Sequence, residues 1–173
     1  GRQSYTVGPL SSSTIGSYVD QKNFASETYD LGYGYAVLCN GSRLLVYNYE
    51  TGELNTYSYT WMSAPARLKL IEYNGDVIVA ILSQTSSGVY KVSFISVDTG
   101  AVINQHDLSS YVISIPNINV ALIQGKPYAL VACEDRGLII GLYDGVVREL
   151  DITYGRGVFM TYRNVGEYHV VLV

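Results

Sequence analysis

Charge is scarce in this chain. Asp, Glu, Lys and Arg together make up 15% of its 173 residues, against roughly 25% in ordinary soluble domains. The 11 basic residues form no cluster, and the net charge is −4. Binding to duplex or single-stranded nucleic acid normally leaves a basic stripe, so nucleic acid is not an expected partner. No stretch approaches the ~18 consecutive apolar residues of a membrane-spanning helix, so no span of that kind is expected. Only 2 cysteines are present, Cys39 and Cys133. With only His106 and His169 as further soft ligands, they make neither a disulfide framework nor a structural zinc site. The expected state is two buried, inert thiols, and the alternative is one disulfide in a secreted protein. The N-terminal residues Gly1–Tyr5 are polar and show no signal-peptide pattern. A start at Gly1 rather than Met suits a processed chain or a fragment.

Apolar types are abundant at 48%, and tyrosine dominates the aromatics, with 17 Tyr against 3 Phe and 1 Trp. A disordered chain is poor in such residues and rich in charge. A long helix or coiled coil needs Ala, Glu, Lys, Leu and Arg at helical period. Neither description fits. Low charge with much Tyr, Ser, Asn and Gly resembles the composition of extracellular layers, fibres and virion surfaces. It points to an extracellular, cell-surface or virion location.

Period-2 alternation and short apolar runs replace helical periodicity. The pattern predicts strands at 35–39, 43–49, 54–61, 68–73, 77–83, 89–97, 102–107, 119–123, 128–133, 138–142, 146–152, 158–162 and 168–173. Asn40-Gly41, Asn74-Gly75 and Asp144-Gly145 suit two-residue hairpins, whose positive φ is tolerated by Gly and Asn. Many short strands at even spacing predict an all-β sandwich, barrel or propeller.

Internal repetition chooses among these. Gly34–Cys39 with Leu44–Gly52, Gly75–Leu82 with Val92–Gly100, and Gly125–Cys133 with Leu138–Gly145 share one layout of strands and turns. Turn glycines 52, 100 and 145 recur at spacings of 48 and 45, and opening glycines 34, 75, 125 and 166 at 41, 50 and 41. Cys39 and Cys133 match within this scheme, each five residues before a Leu. A period of roughly 40–50 residues with four strands per unit is the propeller signature. The units resemble blades of WD40 and quinoprotein-like β-propellers. Thr51-Gly52 and Thr99-Gly100 are similar to the end of the quinoprotein blade motif. Asn48 and Ser96 stand where that motif has Asp, and Tyr57 stands where it has Trp. No Trp-Asp dipeptide is present. The resemblance implies architecture over residues 29–173 and carries no catalytic residues.

The expected fold is therefore an all-β propeller of about four blades of four antiparallel strands, or part of a larger propeller. Residues 158–162 and 168–173 supply only half of a fourth blade, which leaves an open edge. One solution is closure by the N-terminal segment 1–28, with strands near Arg2–Val7 and Ser17–Gln21. The other is a larger ring completed elsewhere.

Tyr57, Tyr59 and Trp61 alternate with Thr56, Ser58 and Thr60, which puts the three aromatics on one face of a strand. Exposed, they would stack on sugar rings or a protein partner; packed, they would join adjacent blades. They are the candidate ligand-binding residues. Asp76, Glu134 and Asp135 would suit glycoside hydrolysis if two of them converged to roughly 5–10 Å; otherwise they are turn residues. Asp98 and Asp144 also sit at turns, where a ring-centre cation is an alternative. His106, followed by Asp107, is a weak base candidate, since triads assemble in space and not by adjacency. Neither His106 nor His169 neighbours a nucleophile-elbow motif, and no phosphate-cradling glycine loop precedes a helix. Asn40-Gly41-Ser42 is a glycosylation sequon that also reads as a turn.

No cofactor, metal or catalytic residue is expected. The expected function is a non-catalytic interaction module with a protein or surface-glycan partner. A structural component of a virion, tail fibre or cell-surface assembly is its most concrete version. A carbohydrate-binding propeller and a glycoside hydrolase-like propeller enzyme are the alternatives.

Overall fold

The computed structural model describes residues 29–63, 67–114, 116–151, 160–165 and 168–172. Their regular structure is entirely β. Three four-stranded antiparallel sheets follow one another along the chain, and none closes into a barrel. The first holds β1 (Tyr29–Gly32), β2 (Tyr35–Asn40), β3 (Arg43–Asn48) and β4 (Leu54–Ser58). The second holds β5 (Arg67–Tyr73), β6 (Asp76–Gln84), β7 (Tyr90–Ser96) and β8 (Val102–Asp107). The third holds β9 (Ile118–Ile123), β10 (Lys126–Ala132), β11 (Arg136–Gly141) and β12 (Gly145–Asp151). A hairpin follows, β13 (Thr161–Val165) with β14 (Tyr168–Leu172). Within each sheet the strands lie in chain order, the meander expected of hairpin-connected strands.

The strand register turns the sequence repeat into a structural one. Tyr35 pairs with Asn48, Ile78 with Ser96 and Tyr128 with Gly141. One residue beyond each pair, Tyr49 N–H donates to Gly34 O, Val97 to Val77 O and Leu142 to Pro127 O. These bonds make Leu44, Val92 and Gly137 equivalent, and likewise Tyr57, His106 and Leu150 opposite them. By this register Gly34 corresponds to Val77, because the β5–β6 hairpin extends two residue pairs further than the β1–β2 hairpin. The spacing of 41 between the first two opening glycines therefore mixes a repeat with a difference in turn position.

The same register separates the two cysteines. Cys39 pairs with Leu44 and Ala132 with Gly137, so the repeat partner of Cys39 is Ala132. Cys133 is one residue on and faces the opposite side of its sheet, as the period of two requires. The two thiols lie in different apolar clusters and both are free, so they form no disulfide. Burial pushes Cys39 up to about 12 and Cys133 up to about 11.

Sheets pack face to face, and each apolar cluster lies between neighbours. Val37, Cys39, Leu44 and Val46 of the first sheet meet Leu68, Leu70, Val79, Ile81, Ile95 and Val97 of the second. The alternate residues of the second sheet, Ile78, Ala80, Leu82, Val92 and Phe94, meet Ile118, Ala129, Val131, Leu138 and Ile140 of the third. The second sheet is thus buried on both faces. That explains why its two middle strands read as near-continuous apolar runs. A third cluster covers the outer side of the third sheet, where Leu130, Ala132 and Ile139 pack with Met160 just ahead of β13. The first strands lie side by side: β1 neighbours β5, β5 neighbours β9, and β9 neighbours β13.

Four differences from the sequence reading have local causes. β1 has no signal in the sequence, because Tyr29-Asp-Leu-Gly is too short and too polar to mark a strand. The β2–β3 turn residues are Gly41 and Ser42, with Asn40 paired to Arg43 at the strand end. The strand expected at 158–162 is β13, at Thr161–Val165. The fourth is the pairing of Cys39 with Cys133, corrected above. The expected closing strands near Arg2–Val7 and Ser17–Gln21 lie outside the described residues.

Candidate functional site

The aromatic stripe at residues 57–61 sits where the first sheet meets the second. Tyr59 is buried, and Tyr57 and Trp61 are half-buried. The Tyr57 hydroxyl donates to Asp98 O at 3.0 Å, and the Tyr59 hydroxyl donates to Gly100 O at 2.7 Å. The Tyr35 hydroxyl reaches the same turn, donating to Asp98 Oδ1 at 2.8 Å. Three phenols of the first sheet therefore hold the β7–β8 turn of the second. Trp61 lies tilted against Tyr59, with ring centroids 5.1 Å apart. Burial, then the Asp98 hydrogen bond and charge, raise the Tyr35 phenol to about 12. Burial also pushes Tyr59 and Tyr57 up, with the Asp98 carboxylate adding to the Tyr57 shift.

Gly100 makes this fit possible. Its φ is +72°, and a Cβ at this position would collide with the Tyr57 ring at Cδ1. Any other residue would meet both the steric penalty of the left-handed region and the ring.

The next interface repeats the arrangement with different side chains. His106, equivalent to Tyr57, places Nε2 3.2 Å from Leu142 O in the β11–β12 turn. Its ring lies edge-on to Phe94, with centroids 6.0 Å apart. A Cβ on Gly145, at φ +74°, would approach His106 Nδ1 to 3.4 Å. Asn104 Nδ2 donates to Tyr143 O at 3.4 Å. His106 thus has the role of a packing residue between sheets. Asp107, beside it in sequence, accepts instead from Ser109 N–H at 2.7 Å, which lowers its carboxyl.

A second bridge joins the first strands. Leu70 N–H donates to Asp30 Oδ2 at 2.8 Å, and at the equivalent position Asn119 Nδ2 donates to Met160 O at 3.1 Å. Neither Asp30 nor Asn119 stands out in the sequence. Their signal is a polar side chain at the same register in two repeats, which only the pairing reveals.

The acidic candidates do not converge. Asp76 opens β6, whereas Glu134 and Asp135 lie just beyond the end of β10, at the opposite end of the corresponding strand. Asp135 is held by Arg136 at 2.8 Å, and Arg136 also pairs with Glu149 at 2.9 Å. The Tyr111 hydroxyl donates to Glu149 at 2.5 Å, and Arg136 lies 5.8 Å from the Tyr111 ring centroid. The Arg136 guanidinium lowers Asp135, while Tyr111 and then Arg136 lower Glu149. Among the described residues, no group of three or more His, Cys, Asp and Glu is placed to hold a metal ion. No helix of the described residues is long and apolar enough to cross a membrane. His169 falls in β14, paired with Asn164.

No known protein family matches the chain, and no curated protein shows significant similarity to it.

Proposed function

We propose that this chain is a non-catalytic interaction module built as blades of a propeller. The observation that carries the reading is the repeated relation between sheets. Each first strand lies beside the next, and each aromatic or imidazole at the Tyr57 position reaches the following sheet's turn. Repetition of one relation around an axis generates a propeller, the resemblance already drawn with WD40 and quinoprotein-like blades. The β13–β14 hairpin takes the place of the first two strands of a fourth blade. At the other end, the outer face of the first sheet carries Tyr29, Leu31, Ala36, Leu38, Leu45 and Tyr47. The register matches these to residues that face a neighbouring sheet in the second and third units. Ala36, Leu38, Leu45 and Tyr47 of this face are buried, whereas Tyr29 and Leu31 at its β1 edge are exposed.

Binding chemistry is favoured over catalysis because the reactive candidates have structural partners. Tyr57, Tyr59, His106 and Asp135 each bond to a turn or a neighbouring side chain. The partner face is the end of the sheets that carries the first hairpin turns. There Tyr33 is 53% exposed, and Leu122, at the equivalent position of the third unit, is 48% exposed. These two exposed apolar side chains are the candidate contact residues of that face. The low charge and high tyrosine content favour a partner in an extracellular, cell-surface or virion assembly.

The test is site-specific photo-crosslinking in the native source. A crosslinker at Tyr33 or Leu122 is expected to capture a discrete partner, and one at Ser87, on the opposite end, is expected to capture none. The reverse pattern contradicts the reading, as does turnover of chromogenic glycosides or esters above the blank.

A further inference from the structure

The register exposes one place where the two sheet interfaces differ in kind. Between the second and third sheets, Ile78 and Phe94 are buried and fill the end of the interface near the β7–β8 turn. The equivalent positions of the first sheet are Tyr35 and Val46. The smaller Val46 leaves room, and a cavity of about 200 Å³ opens between the first and second sheets. Its polar lining is Tyr35, Asn48, Glu53, Asn55 and Asp98. The second sheet has Ser96 and Ala101 where Asn48 and Glu53 stand. The repeat therefore folds without these polar groups.

We propose that this cavity binds one pyranose unit of a saccharide. The lining contains no Lys, Arg or His, which disfavours an anion. It presents donors as well as acceptors, which disfavours a bare cation. Asn48 Oδ1 already accepts from Glu50 N–H at 2.9 Å and Thr51 N–H at 3.1 Å, so its amide nitrogen is left as a donor. Asn55 Nδ2 donates to Glu53 Oε1 at 3.2 Å and Tyr35 donates to Asp98 Oδ1, so one oxygen of each carboxylate remains an acceptor. Neighbouring hydroxyls, each both donor and acceptor, match such a set. The volume is below the roughly 300 Å³ at which pockets for drug-sized ligands begin, which limits the occupant to about one ring. It lies at the same end of the sheets as Tyr33, so the inference rests on the partner face proposed above and gives the partner a glycan component.

The test is a titration of the full chain with methyl pyranosides of glucose, galactose and mannose, followed by amide shifts in ¹H–¹⁵N spectra. At least one pyranoside is expected to shift Asn48, Glu53, Asn55 and Asp98 with millimolar affinity, the range for a single shallow site. Glu53→Ala and Val46→Phe are each expected to weaken that affinity by about tenfold or more. Val46→Phe installs the residue used by the second sheet, and Asn48→Ser serves in its place if that variant does not fold. No shift with any pyranoside overturns the proposal, as does unchanged affinity in the variants. Calcium chloride producing these shifts where pyranosides do not overturns it in favour of a cation site. Crosslinking at Tyr33 to a protein, with no pyranoside shift, removes the saccharide pocket and leaves the partner face standing.

Discussion

The interface between the first and second sheets and that between the second and third follow one plan with different chemistry. Both place the fourth strand of one sheet against the last turn of the next. Both bring a ring, Tyr57 or His106, onto a left-handed glycine, Gly100 or Gly145. The first interface adds hydroxyl bonds from three tyrosines and leaves a polar cavity open to solvent. The second fills the same space with Ile78 and Phe94. Backbone register fixes the plan, and side chains at a few equivalent positions decide whether an interface is a filled core or a pocket.

The comparison is broken most severely by emptying the filled interface. Phe94→Ala is expected to destabilise the chain by about 3–5 kcal/mol, read as a lowered denaturant midpoint, whereas Val46→Phe at the equivalent position is expected to leave the midpoint unchanged or raise it. Gly100→Ala comes next. It combines left-handed strain with a collision against Tyr57, and about 2–4 kcal/mol is expected. Gly145→Ala meets only the nearer edge of His106 and is expected to cost about 1–2 kcal/mol. Gly52→Ala, at the same φ in open space, is expected to cost about 1 kcal/mol. Chemical denaturation of the three alanine variants gives the ranking, and a Gly52→Ala loss equal to that of Gly100→Ala would remove the ring contact from the account.

Tyrosine-to-phenylalanine changes sharpen the comparison at smaller amplitude. Tyr59→Phe deletes the donor to Gly100 O and is expected to cost about 1 kcal/mol. Tyr47 is fully buried, and its hydroxyl has no hydrogen-bond partner. Tyr47→Phe is therefore expected to stabilise by about 1 kcal/mol, because a buried unpaired hydroxyl carries a desolvation penalty. Opposite signs in a melting experiment separate the bonded phenol from the unbonded one.

The smallest effect is one of pH. Tyr35 is raised from an unfolded value near 10 to about 12. A raised folded pKa gives stability that is complete below the unfolded value and is lost as pH rises through the folded one. The hold of Tyr35 on the β7–β8 turn is therefore expected to weaken between about pH 10 and 12. Phenolate absorbance should show a late-titrating class that shrinks in Tyr35→Phe.

Much of this architecture is legible in the sequence because its signals are local. Alternation gave the strand positions, and Asn74-Gly75 and Thr99-Gly100 marked turns that the structure contains. β1 escaped because its neighbours in space, not its own four residues, make it a strand. The sequence presents Tyr57 and Tyr59 as a choice between stacking surface and packing, and their hydroxyls bond to Asp98 O and Gly100 O of the second sheet. The cavity was not legible. It depends on Val46 standing where the repeat has Phe94, a match that needs the register of two hairpins. Glycine spacing alone aligns Gly34 with Gly75 and misplaces that register by two residues.

The most direct test of the shared plan is a pair of nuclear Overhauser contacts in the intact chain. The account predicts a cross-peak from the Tyr57 ring protons to the Gly100 Hα protons, and an equivalent one from the His106 ring to the Gly145 Hα protons. Both present would establish that one ring-on-glycine contact joins successive sheets. The absence of either would contradict it and return the three sheets to a repeat of sequence without a repeat of packing.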